Sequence, residues 1–361
     1  MLRSVALLLV LGSASAFLPT LIEKLWTEDS AEGFSGVARI PFKDLLSGNV
    51  YVDPFILQSM KKFGFFYVVD VPEYNATVEL DYLKRFFELP EEQKDDLAIK
   101  KHNAANPNAY RGFCPGVDDV DSTLQFKDVF NIGPHETRGQ RGDASKKSPL
   151  ENMRYEVQEP NVWPETGNFT FDAGFKTTFQ AGFEIRRNIG RAFVKSVARA
   201  LNMPKLPELF VDDEFSAMGL RRYLQRNEIN SNMYSDYDNV LLRELEHVDS
   251  TVTVLSTFNN GGLQMLHNNK YQEAPVTGDN AFIVNIGKLV DDIIDNHLTN
   301  VRHRVAEVNF TRYSITYFLG PQFDAPIDKS MTGEPTEAGR KYSIFGEWVR
   351  DYLGAIELFY Y

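Results

Sequence analysis

Two histidines and one aspartate carry the chemistry that this chain is best equipped to perform. His247-Val248-Asp249 opens a β-rich stretch that runs to Leu319, and His303 follows within Val301-Arg302-His303-Arg304-Val305. Side chains alternate along a strand with period two, so a His-x-Asp pair on one strand presents both ligands to one face. Imidazole nitrogens and a carboxylate without thiolate select a borderline metal, and three such donors on one side of an ion leave the opposite positions open. That arrangement suits a non-haem Fe(II) centre reacting with dioxygen. Arg312 and Ser314, in Arg312-Tyr313-Ser314, share a face by the same alternation. A His-x-Asp pair alone is common among the polar residues of β domains, so its surroundings must decide.

Those surroundings supply a scaffold. After Pro207, short β-rich runs cover residues 219–224, 252–258, 263–266, 281–286, 301–308 and 312–319, broken by Gly, Asn and Asp turns. Closely spaced short strands of this kind predict a barrel or jelly roll. Ahead of them, Phe171, Phe175, Phe179, Phe183, Ile189, Phe193 and Val197 recur at helical spacing, which predicts a long amphipathic helix packed on the core rather than a cofactor lining. The N-terminal part alternates strands near residues 37–42 and 64–69 with helices over 53–63 and 78–88, and another begins at Pro90. Residues 103–160 read mostly as loop, with one strand at 126–132 and an exposed connection over 136–151. The fold class is therefore mixed α/β, with a jelly-roll core flanked by helices. The N-terminal α/β region occupies 37–160, and the core with its support helix occupies 161–355.

Composition narrows the partners. A chain of 361 residues, 43% hydrophobic and 24% charged, buries a sizeable core. The net charge of -12 argues against a sequence-independent nucleic-acid binder, which needs a basic surface, and favours a small-molecule substrate. Cys114 is the only cysteine, so neither an internal disulfide nor a thiolate zinc site is available. Arg3, the apolar run over 5–11 and Ala14-Ser15-Ala16 read as a secretory signal peptide over residues 1–16, with a mature start at Phe17. The secretory pathway is the expected destination. A phenylalanine after such a site also resembles the bipartite plastid leaders of diatoms and related algae, although Glu23, Glu28, Asp29 and Glu32 depart from the acid-poor character of transit peptides. Sequons at Asn75, Asn168 and Asn309 are compatible with secretion. No later run is long and apolar enough to span a bilayer, and a monomer is the expected state.

Ordered motifs across residues 37 to 355 add a family likeness. They include Ile40-Pro41, Gly64-Phe65-Phe66-Tyr67, Phe86-Phe87-Glu88-Leu89-Pro90, Tyr110-Arg111-Gly112-Phe113, Lys127-Asp128-Val129-Phe130-Asn131-Ile132-Gly133 and Asn161-Val162-Trp163-Pro164. Gly262-Leu263-Gln264, Val284-Asn285-Ile286-Gly287 and His303-Arg304-Val305 follow in the catalytic half. The chain resembles the isopenicillin N synthase-like family of Fe(II)- and 2-oxoglutarate-dependent dioxygenases. The resemblance implies that His247, Asp249 and His303 bind Fe(II). Arg312, aided by Ser314, would pair with the distal carboxylate of 2-oxoglutarate, and Tyr223 would help hold co-substrate or substrate. A planar, always-charged guanidinium matches a carboxylate bidentately, which supports that role for Arg312. The implied reaction consumes O2 and 2-oxoglutarate, releases succinate and CO2, and oxidises a substrate by hydroxylation, desaturation or ring closure.

Departures from the family pattern bear on the substrate. Plant members commonly carry Asn two residues before the site tyrosine, where this chain has Arg221. Alternation puts Arg221 on the face of Tyr223, which points to a substrate bearing a carboxylate or another anion. An arginine paired with a structural acid is the competing explanation. Val69-Asp70-Val71-Pro72, Gly287-Lys288 and Tyr271 are further departures and remove no ligand, while His267, His297, His102 and His135 read as loop or surface residues. Three alternatives stay open: an oxidase like isopenicillin N synthase that does not use 2-oxoglutarate, a cyclase of an N-prenylated glutamate resembling kainoid synthases, and a non-catalytic binding protein on the same fold.

Overall fold

The aromatic stripe forms one uninterrupted helix, Phe169–Ala200, in the computed structural model, which describes residues 34–116, 127–137, 144–211, 215–225, 233–277 and 280–355. Asn168 caps the helix by accepting from the Phe171 amide. Phe171, Phe175, Phe179, Phe183, Ile189, Phe193 and Val197 are all buried in the main core, and the Phe183 ring meets Tyr317 edge-on at 5.0 Å. The stripe is thus core, as its periodicity predicts. One charge lies on this buried face: Arg186 donates to both Glu79 oxygens at 2.8 and 2.7 Å and to the Ser256 hydroxyl at 2.7 Å. Paired at this quality, the buried guanidinium ties the helix to the helix Ala76–Phe87 and to the sheet beneath.

Twelve strands follow one another as β1 (Arg39–Pro41), β2 (Phe65–Val69), β3 (Gly112–Cys114), β4 (Lys127–Ile132), β5 (Ala217–Tyr223), β6 (Leu242–His247), β7 (Val252–Ser256), β8 (Leu263–His267), β9 (Lys270–Glu273), β10 (Phe282–Ile286), β11 (His303–Ala306) and β12 (Arg312–Leu319). Eight form a major sheet in the order β1-β2-β10-β7-β12-β5-β4-β3, and four form a minor sheet in the order β6-β11-β8-β9. Every pairing is antiparallel except β1 with β2. One pocket takes its walls from both sheets, so the sheets face each other across it. This is the mixed α/β fold with a jelly-roll core expected from the strand pattern. The N-terminal region supplies both edges of the major sheet, β1-β2 on one side and β3-β4 on the other.

Several local readings change. Residues 149–157, within the stretch expected to be mostly loop and overlapping the connection expected over 136–151, form a helix, Pro149–Val157, with a capping box between Ser148 and Glu151 and proline in its first turn. His247 and Asp249 do not share a strand: His247 ends β6, and Asp249 lies in the turn before β7. Helices Lys288–Ile293 and Phe345–Ala355 are further additions. Asn75, like Asn168, caps a helix, accepting from the Val78 amide. The leader expected over residues 1–16 lies outside the described residues. Among those described, no helix is long and apolar enough to cross a membrane.

Candidate active site

The turn after β6 brings the metal-ligating types together. Backbone amides of Lys288 and Leu289 donate to the carbonyls of Asp249 and Ser250 at 2.8 and 3.0 Å, and Gly287 donates to Thr251 at 2.7 Å. Gly287 packs so closely here that a Cβ on it would stand 2.4 Å from the Asp249 carbonyl group. Only glycine fits, and the turn is pinned against the end of β10. The ligand atoms of His247, Asp249 and His303 consequently lie within 4.8 Å of one another. Asp249 Oδ1 stands 4.0 Å from His247 Nε2 and 3.8 Å from His303 Nε2, with the two rings 4.3 Å apart between centroids.

Each ligand is oriented by what its other atom does. His247 Nδ1 donates to the Leu245 carbonyl at 2.7 Å, and His303 Nδ1 donates to the Val301 carbonyl at 3.1 Å. A carbonyl can only accept, so both rings carry their proton on Nδ1 and turn a lone pair outward at Nε2. Asp249 Oδ2 accepts from the Thr253 hydroxyl and the Asn285 amide, each at 2.7 Å, leaving Oδ1 to face the histidines. Thr253 and Asn285 are direct neighbours across β7 and β10. Burial alone would raise the Asp249 carboxyl, but His303, His247 and these two hydrogen bonds hold it below the usual range. Burial and the adjacent His303 lower the His247 imidazole, which favours the neutral, ligating form. Two imidazoles and one carboxylate, with open space opposite and no thiolate, fit a divalent ion of the Fe(II) type.

Across the pocket, strand register lines up the polar residues. Lys127, Tyr223 and Arg312 are side by side on β4, β5 and β12, and Val129, Arg221 and Ser314 form the next row on the same face. Arg222, on the opposite face, pairs with Asp128 through its Nε at 2.7 Å. Arg312 is fully buried; its Nε donates to the Gly261 carbonyl at 2.9 Å and its guanidinium lies 4.7 Å from the Tyr223 ring centre. Arg312 Nη1, Ser314 Oγ and Arg221 Nε are buried without a hydrogen-bond partner among the described residues. Buried polar atoms are rarely left so, and three together on one wall of the pocket are placed to meet ligand oxygens. The two on Arg312 and Ser314 fit the distal carboxylate of 2-oxoglutarate.

Two models of known families match the chain: the 2OG-Fe(II) oxygenase superfamily over residues 222–321, and the N-terminal region of non-haem dioxygenases in morphine synthesis over residues 55–166. The chain belongs to the 2OG-Fe(II) oxygenase superfamily. It is accordingly a non-haem dioxygenase, with Fe(II) and 2-oxoglutarate as the family's cofactor and co-substrate. Isopenicillin N synthase of Streptomyces clavuligerus is 25% identical over 306 residues, 81% of this chain and 86% of that protein. Kihadalactone A synthase of Citrus sinensis is 26% identical over 319 residues, 83% of this chain and 86% of that protein. Among solved structures, a full-length Neurospora crassa protein in complex with alpha-KG superposes with a TM-score of 0.66 at 22% identity, covering 90% of this chain and 98% of that one.

Among the charged residues that line this oxygenase's pocket, one is absent from the sequence reading of the site. Glu244, on β6, accepts from the Tyr223 hydroxyl at 2.8 Å and pairs with Lys127, while Arg221 Nη1 stands 3.9 Å away. Burial would raise the Glu244 carboxyl, yet Lys127, Arg221 and His247 hold it well below the usual range, so it is charged. Leu255, Leu263, Met265 and Val305 complete the walls of a space of about 420 Å³ that includes its open mouth. Arg304, next to His303, points away from the pocket; it donates to both Asp238 oxygens at 2.8 Å and lies 3.9 Å from the Tyr271 ring centre, fixing β11 from behind. Of the other histidines, His267 packs near Phe63 at the end of β8, with 5.1 Å between ring centres, and His297 is exposed.

Proposed function

We propose that this oxygenase uses His247, Asp249 and His303 to hold Fe(II), Arg312 and Ser314 to hold 2-oxoglutarate, and Arg221 to hold a small, carboxylate-bearing substrate. The single observation that carries the substrate reading is the Arg221 Nε, buried in the pocket with no partner among the described residues. A guanidinium so placed gains a strong, charge-assisted hydrogen bond when an anionic group arrives. Bound Fe(II) supplies dioxygen chemistry that couples 2-oxoglutarate decarboxylation to substrate oxidation, with succinate and CO2 released.

The chain's own residues do the positioning. Thr253 and Asn285 keep Asp249 Oδ1 turned to the metal side, and the Leu245 and Val301 carbonyls keep both imidazoles in the ligating tautomer. The Tyr223 ring supports the Arg312 guanidinium, and the apolar walls exclude water from the reacting carbon. Hydroxylation, desaturation and ring closure all begin from a substrate C–H bond held beside the metal, and the direction of the Arg221 anchor selects which bond that is.

Arg221→Ala tests the assignment. The substrate KM rises by tenfold or more while iron content and the KM for 2-oxoglutarate stay at wild-type values. An unchanged substrate KM would remove Arg221 from the substrate site.

A further inference from the structure

Glu244 is a charged group in the pocket with no part in the reading above. It comes to face the pocket by a backbone irregularity. His247 pairs with His303 and Glu244 with Val305, so three steps on β6 are matched by two on β11. The extra residue is a β-bulge, which turns Glu244 to the side that His247 faces; regular alternation would put residues three apart on opposite faces. A bulge that imports a carboxylate beside a metal site implies a use for that carboxylate.

Its surroundings say which use. Glu244 Oε1 contacts Lys127 and Oε2 takes the Tyr223 hydroxyl, so both oxygens are committed, and Arg221 at 3.9 Å stands beyond hydrogen-bond reach. Asp249 belongs to the metal and Arg312 to 2-oxoglutarate. Glu244 thus makes its close pair with Lys127 and only a longer one, at 3.9 Å, with Arg221, whose Nε keeps no hydrogen-bond partner among the described residues. We propose that Glu244 sets the charge of the substrate: by occupying Lys127 it leaves room for one carboxylate, on Arg221, and turns away a second. The inference rests on the reading of Arg221 as the substrate's partner.

The test uses holoenzyme loaded with Fe(II) and saturating 2-oxoglutarate under anaerobic conditions. Chain-length-matched monocarboxylates and dicarboxylates of about four to ten carbons serve as probes, and their binding is read from the shift of the iron-to-2-oxoglutarate charge-transfer band. Displacement of 2-oxoglutarate abolishes the band and is thereby told apart. Wild type binds monocarboxylates better. Glu244→Gln frees Lys127 and tightens dicarboxylates by about tenfold, reversing the preference. Lys127→Met leaves Glu244 to Arg221 and weakens monocarboxylates, and the double variant restores the wild-type order. Glu244→Gln and Lys127→Met that both leave the order and the affinities unchanged, while Arg221→Met weakens every probe, overturn the role of Glu244 and spare that of Arg221. Probes that bind wild type and Arg221→Met equally, or that move no variant's spectrum, overturn the Arg221 reading itself.

Discussion

The Arg312 guanidinium lies 4.7 Å from the centre of the Tyr223 ring, and the hydroxyl of that same ring donates to Glu244 at 2.8 Å. One side chain thus supports the proposed co-substrate anchor with its face and the proposed substrate side of the pocket with its edge. Tyr223→Phe keeps the face and loses the edge. It should leave the KM for 2-oxoglutarate within about twofold of wild type, whereas Tyr223→Leu, which removes the cation–π contact of about 1–2 kcal/mol, should raise it several-fold. Arg312→Lys keeps the charge but loses the fork and should raise that KM by tenfold or more. Oxygen consumption against 2-oxoglutarate concentration measures all three.

The supports of Asp249 should matter nearly as much as the ligand. Thr253→Val and Asn285→Ala each strip one hydrogen bond from Oδ2, and each should weaken Fe(II) binding by about 10–100-fold. Gly287→Ala forces a Cβ against the Asp249 carbonyl group and should be at least as damaging to metal affinity. Equilibrium metal titration on purified protein gives the three values directly.

These supports mark the limit of what was legible in the sequence. The ligand types, the shared face of Arg312 and Ser314, and the shared face of Arg221 and Tyr223 follow from residue spacing, because period-two alternation holds along β5 and β12. Asp249 defeats that logic by sitting in a turn, and its placement depends on contacts to Gly287 and Asn285 from a distant strand. Glu244 was hidden twice over. The run Leu242-Arg243-Glu244-Leu245-Glu246-His247 lacks the apolar alternation of a strand, and a bulge, which no spacing rule reports, aims the side chain. Lys127 stood within a recognised motif, but its partner is visible only once β4 and β6 face each other. Two signals were legible and missed: the Ser148 to Glu151 capping box, and Phe345, Trp348, Val349 and Tyr352 at the spacing of an amphipathic helix.

Core and site should separate experimentally. Phe175 is fully buried among Phe86, Phe130, Phe171 and Phe179, and Phe175→Ala should cost about 3–5 kcal/mol of stability. Glu79→Ala leaves the Arg186 charge buried and unpaired, at a similar cost of about 3–5 kcal/mol. In both variants the KM values should stay near wild type at temperatures where the protein is folded. Denaturant titration with parallel kinetics checks this.

The proposed leader gives a prediction independent of the site. Expressed in a eukaryotic secretory host, the chain should lose its first sixteen residues and begin at Phe17. N-terminal sequencing of secreted material settles the start, and retention of Met1 on the product would show that no leader is cleaved there.

Everything proposed for the pocket converges on 2-oxoglutarate turnover coupled to oxidation of a carboxylate-bearing molecule. The most direct test incubates Fe(II)-loaded enzyme with O2, 2-oxoglutarate and a panel of carboxylated metabolites, and follows succinate and oxidised product together. A carboxylated compound should stimulate succinate release in a one-to-one ratio with its own oxidation, and its methyl ester should not. Oxidation of a panel member without succinate, or equal stimulation by acid and ester, would contradict that coupling.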